Sequence, residues 1–204
     1  MDEQFQRVEA FRRHYESSES HWGGHSGSGS LPYWTLEYRI FLERFIHLNR
    51  IRSVVDIGCG DWQFSRFINW GGVRYRGFDV VPSVVEQNQQ RFGCDNVSFG
   101  EMLSDLSAVP GADLLIMKDV LQHLPDREII RHRDELFSRY PRCLLANSFR
   151  KLDTPLNTDI NYGDFRCLDL NSEPYSFGGH YVLEFSSPIW EEIRVMLYIP
   201  PNAV

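Results

Sequence analysis

Cysteine is scarce. The 204 residues contain four, Cys59, Cys94, Cys143 and Cys167, far apart and without a Cys-x-x-Cys pair. That excludes a disulfide framework and a cysteine zinc site, and it points to reduced thiols in the cytoplasm. No stretch approaches the run of about 18 apolar residues that a membrane-spanning helix needs. The opening Met1-Asp2-Glu3-Gln4 lacks the basic and apolar pattern of a secretory signal. Positive charge is also short. Lys and Arg number 21 against 28 Asp and Glu, giving a formal net charge of −7. A phosphate backbone calls for a basic face, so nucleic acid is disfavoured as a partner. No His/Asp/Glu cluster has metal-ligand spacing, so no metal is expected. Internal repeats are absent.

Aromatic residues are plentiful at 14%, beside 42% hydrophobic and 24% charged. This is the composition of a folded domain, with aromatics enough to line an enclosed pocket. A helical pattern from about Glu3 to Tyr15 places Phe5, Val8 and Phe11 on one side. Residues 17–30 read as a loop centred on His21-Trp22-Gly23-Gly24-His25-Ser26-Gly27-Ser28-Gly29-Ser30. Thr35 is placed to cap a second helix running to about Leu48. From Ser53 onward short apolar runs alternate with amphipathic segments. Strands are expected near 53–57, 75–79, 97–99, 113–117 and 143–148, with helices near 62–68, 83–92 and 126–140. That order predicts a doubly wound α/β sheet, mostly parallel. Residues 181–185 and 194–199 read as two further strands around a short turn at 186–192, an antiparallel ending. We therefore expect an N-terminal helical cap or lid over residues 1–50 and one α/β domain over 51–204. An insert at 150–180, long and without periodicity, would serve binding.

The strongest local signal is Val54-Val55-Asp56-Ile57-Gly58-Cys59-Gly60. A buried strand ends in an acid, and a Gly-x-Gly turn follows at the strand's carboxyl edge, where ligands bind in such sheets. A dinucleotide fingerprint would need a third glycine where Gln63 stands, and Asp56 would repel a pyrophosphate. An acid there suits a cationic group such as an amine or sulfonium. The next strand ends in Gly77-Phe78-Asp79-Val80. A carboxylate at that place accepts hydrogen bonds from both hydroxyls of a ribose.

These segments, together with Ala112-Asp113-Leu114-Leu115-Ile116-Met117-Lys118-Asp119-Val120-Leu121-Gln122-His123-Leu124, resemble class I S-adenosylmethionine-dependent methyltransferases of the small-molecule branch. The resemblance is good from about residue 53 to 140 and weaker beyond. It implies a Rossmann-like fold with an antiparallel last strand, and S-adenosylmethionine as cofactor. It implies that Asp56, Gly58 and Gly60 hold the amino-acid end of the cofactor. Asp79 would bind the ribose, Val80 would flank the adenine, and the Lys118 carbonyl would meet the ammonium group. One position departs from the family. The acid usually found four residues beyond Phe99 is replaced by Leu103, with Glu101 and Asp105 on either side. The adenine contact then falls to backbone groups of Met102 or Leu103.

Methyl transfer needs an aligned nucleophile, exclusion of water and, for a hydroxyl, a base. His123 is the candidate base, although the same position suits a structural residue bonding a neighbouring loop. Asp119 is the second catalytic candidate, or a cap on the turn that follows. Trp22 and the serines of the Gly/Ser loop would form a lid, and Tyr38 and Arg39 would reach the cofactor carboxylate. Asn147 and five residues of the insert, Arg150, Asp159, Tyr162, Arg166 and His180, are the candidates for binding acceptor. Absence of an Asn/Asp-Pro-Pro-Tyr/Phe motif and of a paired-Glu loop disfavours adenine, glutamine and arginine side chains as acceptors. The expected activity is methylation of a hydroxyl or amine on a small polar metabolite. A protein or RNA methyltransferase and a catalytically silent cofactor-binding module stay open as alternatives.

Overall fold

A computed structural model describes residues 3–186 and 191–201. Helix α1 spans Glu3–Glu16 and α2 spans Leu36–Leu48. The sheet is built from β1 (Ser53–Ile57), β2 (Arg74–Asp79), β3 (Val97–Glu101), β4 (Leu114–Lys118), β5 (Cys143–Arg150), β6 (His180–Ser186) and β7 (Glu192–Tyr198). Helix α3 (Pro82–Phe92) links β2 to β3, and α4 (Asp126–Arg131) begins the link from β4 to β5. Strand order is β3-β2-β1-β4-β5-β7-β6. The first five strands pair in parallel, and β7 runs antiparallel between β5 and β6. The expected doubly wound sheet with an antiparallel ending is therefore what forms. The turn expected at 186–192 lies mostly outside the described residues.

Alternation along the central strands explains two cores. Val54, Leu114, Ile116, Leu144 and Ala146 face one side, where they meet Tyr38, Leu42 and Ile46 of α2. Val55, Leu115, Met117 and Leu145 face the other, against Phe11, Ile129 and Leu136. A strand buried on both faces reads as a continuous apolar run, and this is why β1 and β4 are plain in the sequence. Helix α2 is thus part of the sheet's packing. The covering over the sheet edge is confined to α1 and the loop through Ser30.

Three local expectations change. No α-helix follows β1. Residues Ser65–Phe67 make only a 3₁₀ turn, because Trp62 takes a left-handed φ of 56° and buries its ring against Tyr75, Phe92 and Phe99. Thr35 sits at the N-cap of α2 without capping it; its hydroxyl donates backward to the Leu31 carbonyl at 3.1 Å. The buried side of α1 is Arg7, Phe11 and His14, while Phe5 is exposed. Periodicity of apolar residues misplaced that face because two of its members are polar.

Candidate active site at the carboxyl edge of the sheet

A cavity of about 340 Å³ opens at the carboxyl ends of β1, β2 and β4. Its floor is the glycine turn. Gly58 and Gly60 have φ of 71° and 56°, which side chains rarely adopt. A Cβ on Gly58 would collide with Val120, and one on Gly60 with the Ser26 hydroxyl. Both glycines therefore keep bare backbone against the cavity. The turn is held from beneath, where Asn88 Nδ2 donates to the Gly60 carbonyl at 2.7 Å.

Two buried carboxylates flank this turn. Asp79 accepts from Gly60 N at 3.0 Å through Oδ2 and from Val81 N at 3.1 Å through Oδ1. Burial pushes its pKa up to about 6, against the pull of those amides. Asp56 accepts from the Tyr75 hydroxyl at 2.6 Å. Burial lifts it to about 7, opposed by that hydroxyl and reinforced by the charge on Asp79. Each carboxylate is thus poised to gain from hydrogen-bond donors or a positive charge entering the cavity. Lys118 is buried at the end of β4, and its ammonium pairs with the Asp119 carboxylate and donates to Gly29 O at 3.3 Å. Asp119 holds a left-handed φ of 57°, and its Oδ1 is buried without a partner.

His123 borders the cavity, with Nδ1 at 2.8 Å from the Asp164 carbonyl. A carbonyl only accepts, so Nδ1 carries the proton and Nε2 holds the lone pair. Burial moves its pKa down, which keeps the imidazole neutral. Trp22 closes over it, with ring centroids 5.3 Å apart, and stacks on His14 at 4.4 Å. Tyr15 and Ser26 complete the cover. The Tyr15 hydroxyl lies 3.2 Å from Ser26 Oγ, which donates to Asp61 Oδ1 at 2.6 Å and accepts from Asp61 N at 2.9 Å.

The structure brings together Trp22, Asp56, Gly58, Gly60, Asp79, Val80, Met102, Lys118, Asp119 and His123 around this cavity. Other sequence candidates are placed elsewhere. Arg39 donates to the Pro32 carbonyl at 2.9 Å and does not border the cavity. Leu103 is half exposed. The Met102 backbone is already used, its N–H by the Asp79 carbonyl at 2.8 Å and its carbonyl by Arg7 Nη2 at 3.1 Å; only its side chain faces inward. Of the acceptor candidates, none borders the cavity. Arg150 is exposed and pairs with Glu192 at 2.6 Å. Asp159 closes a turn, accepting from Asp126 N at 2.8 Å. Tyr162 packs under Arg127. His180 begins the edge strand β6 and is exposed. Asn147 is buried within β5 with both amide atoms unpartnered. Arg166 is a brace: only 1% exposed, it donates to Asp126 at 2.6 Å, to Thr158 O at 2.8 Å and to Leu124 O at 2.5 Å. The insert instead reaches the cavity through Gly163, Phe165 and Lys151. Sequence reasoning missed Arg7, His14, Tyr15 and His132. The first three share one side of α1 with Phe11, and the spacing of Arg7, Phe11, His14 and Tyr15 was a legible signal once polar residues were allowed on a buried face.

No family model matches the chain. Over 115 residues it is 30% identical to trans-aconitate 2-methyltransferase of Mycobacterium tuberculosis, and equally to that of Mycobacterium bovis. The match covers 54% of this chain and spans about two fifths (41%) of the length of those relatives. Among solved structures, the DhpI–SAH complex superposes with a TM-score of 0.63 at 16% identity, covering 97% of this chain and 98% of that one. Magnesium protoporphyrin IX methyltransferase (ChlM) from Synechocystis PCC 6803 with bound SAM gives 0.60 at 18% identity, covering 98% and 97%. A putative sarcosine dimethylglycine methyltransferase from Galdieria sulphuraria gives 0.61 at 14%, covering 96% and 100%. The chain has the Rossmann-like fold of the class I S-adenosylmethionine-dependent methyltransferases and is similar in sequence, over about half of its length, to trans-aconitate 2-methyltransferases.

Proposed function

We propose that this protein is an S-adenosylmethionine-dependent methyltransferase acting on an oxygen or nitrogen nucleophile of a small polar molecule. One observation carries the reading. The Gly60 amide is hydrogen-bonded to Asp79 on the floor of a cavity that His123 also borders. The residues present fit the cofactor. Bare backbone at Gly58 and Gly60 admits close approach, Asp79 suits the ribose hydroxyls, and Asp56 with the unpartnered Asp119 Oδ1 suits a cationic end. The apolar faces of Val80 and Met102 suit the adenine. When bound, the cofactor supplies an electrophilic methyl group on sulfonium.

The chain's own residues do the rest. Asp79 and the glycine turn orient the ligand, and Trp22 with Phe11 and Phe165 excludes water. His123 Nε2 is the group that takes a proton from an acceptor hydroxyl, and the Asp164 carbonyl holds its ring for that role. An amine that is already neutral needs alignment alone. The trans-aconitate relatives' name supports a small polar acceptor in general, and trans-aconitate heads the acceptors to assay.

The test is calorimetric titration with S-adenosylmethionine and S-adenosylhomocysteine (SAH) beside an Asp79→Ala variant. Binding that the variant weakens by about 100-fold, the loss of two hydrogen bonds to a charged group, supports the reading. Absence of binding to folded wild-type protein sinks it. With binding in hand, His123→Ala should leave SAH affinity within about threefold and abolish turnover of a hydroxyl acceptor.

A further inference from the structure

Among the described residues, no acid is placed at the adenine end of the cavity to receive the 6-amino group. Glu101 and Asp105 are exposed and do not border the cavity, and Asp105 Oδ1 accepts from Ser107 N and Oγ at 2.9 and 2.6 Å. A buried amino group without an acceptor would weaken binding, so some other group must face it. The cavity wall supplies one. His132 is 2% exposed and borders the cavity, at the start of a π-helical turn, His132–Leu136, that continues α4. Such widened turns frequently occur at functional sites.

The ring is fixed. His132 Nδ1 lies 2.7 Å from the Glu128 carbonyl, so it is the protonated nitrogen. Nε2 then holds a lone pair and has no partner among the described residues. Burial moves the pKa down to about 4, so the ring stays neutral at ordinary pH. Its place in the cavity is set by neighbours. Arg7 borders the same cavity and donates to the Met102 carbonyl at 3.1 Å, and Met102 N is tied to Asp79 O at 2.8 Å. Arg131, beside His132, donates to Ser104 O at 2.6 Å. Arg131 thus ties the neighbourhood of His132 to the chain just after β3, and His132 shares the cavity lining with Val80 and Met102, the residues that suit the adenine.

We infer that His132 Nε2 accepts a hydrogen bond from the adenine 6-amino group and takes the place of the missing acid in cofactor recognition. The inference rests on the cofactor reading above. A neutral imidazole lone pair discriminates sharply, because a 6-oxo group in the same place sets lone pair against lone pair.

The experiment is calorimetric titration of the full chain with SAH and with S-inosylhomocysteine, which carries oxygen in place of the 6-amino group. Wild-type protein should bind SAH about tenfold more tightly than the 6-oxo ligand. His132→Phe keeps an aromatic ring and removes the acceptor, so the two dissociation constants should fall within about twofold of each other. Equal wild-type affinities for the two ligands would overturn the inference while leaving the cofactor reading intact. So would a tenfold preference that survives in His132→Phe. No SAH binding to wild type would instead overturn the cofactor reading beneath it. If the buried substitution prevents folding, nitrogen-15 spectra of histidine-labelled wild type decide. The His132 Nε2 resonance should shift into the hydrogen-bonded range with SAH and not with the 6-oxo ligand; the same position with both would overturn the inference.

Discussion

Two segments cover the carboxyl edge of the sheet, and they do so differently. The N-terminal cover, α1 and the loop to Ser30, turns side chains into the cavity: Arg7, Phe11, His14, Tyr15, Trp22 and Ser26. The insert between β5 and β6 spends its polar side chains on itself and on the start of α4. Arg166 ties Asp126, Thr158 and Leu124 together, Tyr175 donates to Asp126 at 2.5 Å, and Asp169 receives Ser172 and Tyr181 at 2.7 Å each. Its polar contacts with the catalytic candidate come from backbone groups: the Asp164 carbonyl meets the His123 ring, and Gly163 N donates to the His123 carbonyl at 3.0 Å. The difference teaches that a polar, aperiodic segment need not be a binding surface. Charged residues in it can be the internal supports of a long loop that lacks regular secondary structure.

If the insert is a scaffold, breaking its brace should cost the most. Arg166→Met leaves the Asp126 carboxylate without its cation, held by the Tyr175 hydroxyl alone among these donors, and takes the guanidinium from two carbonyls. We expect a loss of about 3–5 kcal/mol, read from the denaturation midpoint. A loss below about 1 kcal/mol would erase the distinction between the two covers.

The floor beneath both covers gives the next effect. The pKa of Asp56 is raised in the folded state to about 7. A raised carboxyl pKa stabilises the fold fully below the unfolded value, near pH 4, and that contribution is lost as pH climbs through 7. Asp56→Asn keeps an acceptor for Tyr75 and cannot ionise. It should match wild type at pH 4 and exceed it at pH 8, by on the order of 3 kcal/mol. Parallel stability curves across that range would contradict the burial argument.

Cofactor affinity supplies a smaller effect. Ribose hydroxyls donate best to an ionised Asp79, whose pKa lies near 6 in the ligand-free protein. SAH affinity should therefore rise about tenfold from pH 5 to pH 7.5 and level off above. Asp79→Asn should flatten that rise.

The N-terminal cover is the last and gentlest test. Trp22→Ala should weaken SAH binding severalfold while losing less than half the stability that Arg166→Met loses, because Trp22 is only half-buried. A fall in stability equal to that of Arg166→Met, with SAH affinity unchanged, would make the N-terminal cover a scaffold too.

The legible part of the site was the part built on strand ends. Asp56, Gly58, Gly60, Asp79, Val80, Lys118 and His123 all lie in or directly after β1, β2 and β4, and all reach the cavity. A parallel strand buried on both faces has one reading in sequence, and the residue after it has one place in space. Arg39 and Leu103 failed because one helical turn or one residue of loop turns a side chain away from the cavity. Arg150, Asp159, Arg166 and His180 failed because charge in a loop does not reveal its partner.

The sequence by itself determined the doubly wound sheet, its antiparallel end, the glycine turn and the two acids beside it. Those follow from local periodicity and from backbone conformations that few residues adopt. Only the tertiary structure decided that Arg7, His14 and His132 face the cavity, that Arg166 is a brace, and that Asp164 holds His123 by its carbonyl. Those are contacts between segments far apart in the chain. A polar side chain carries no local mark of whether its partner is water, a ligand or a distant carbonyl.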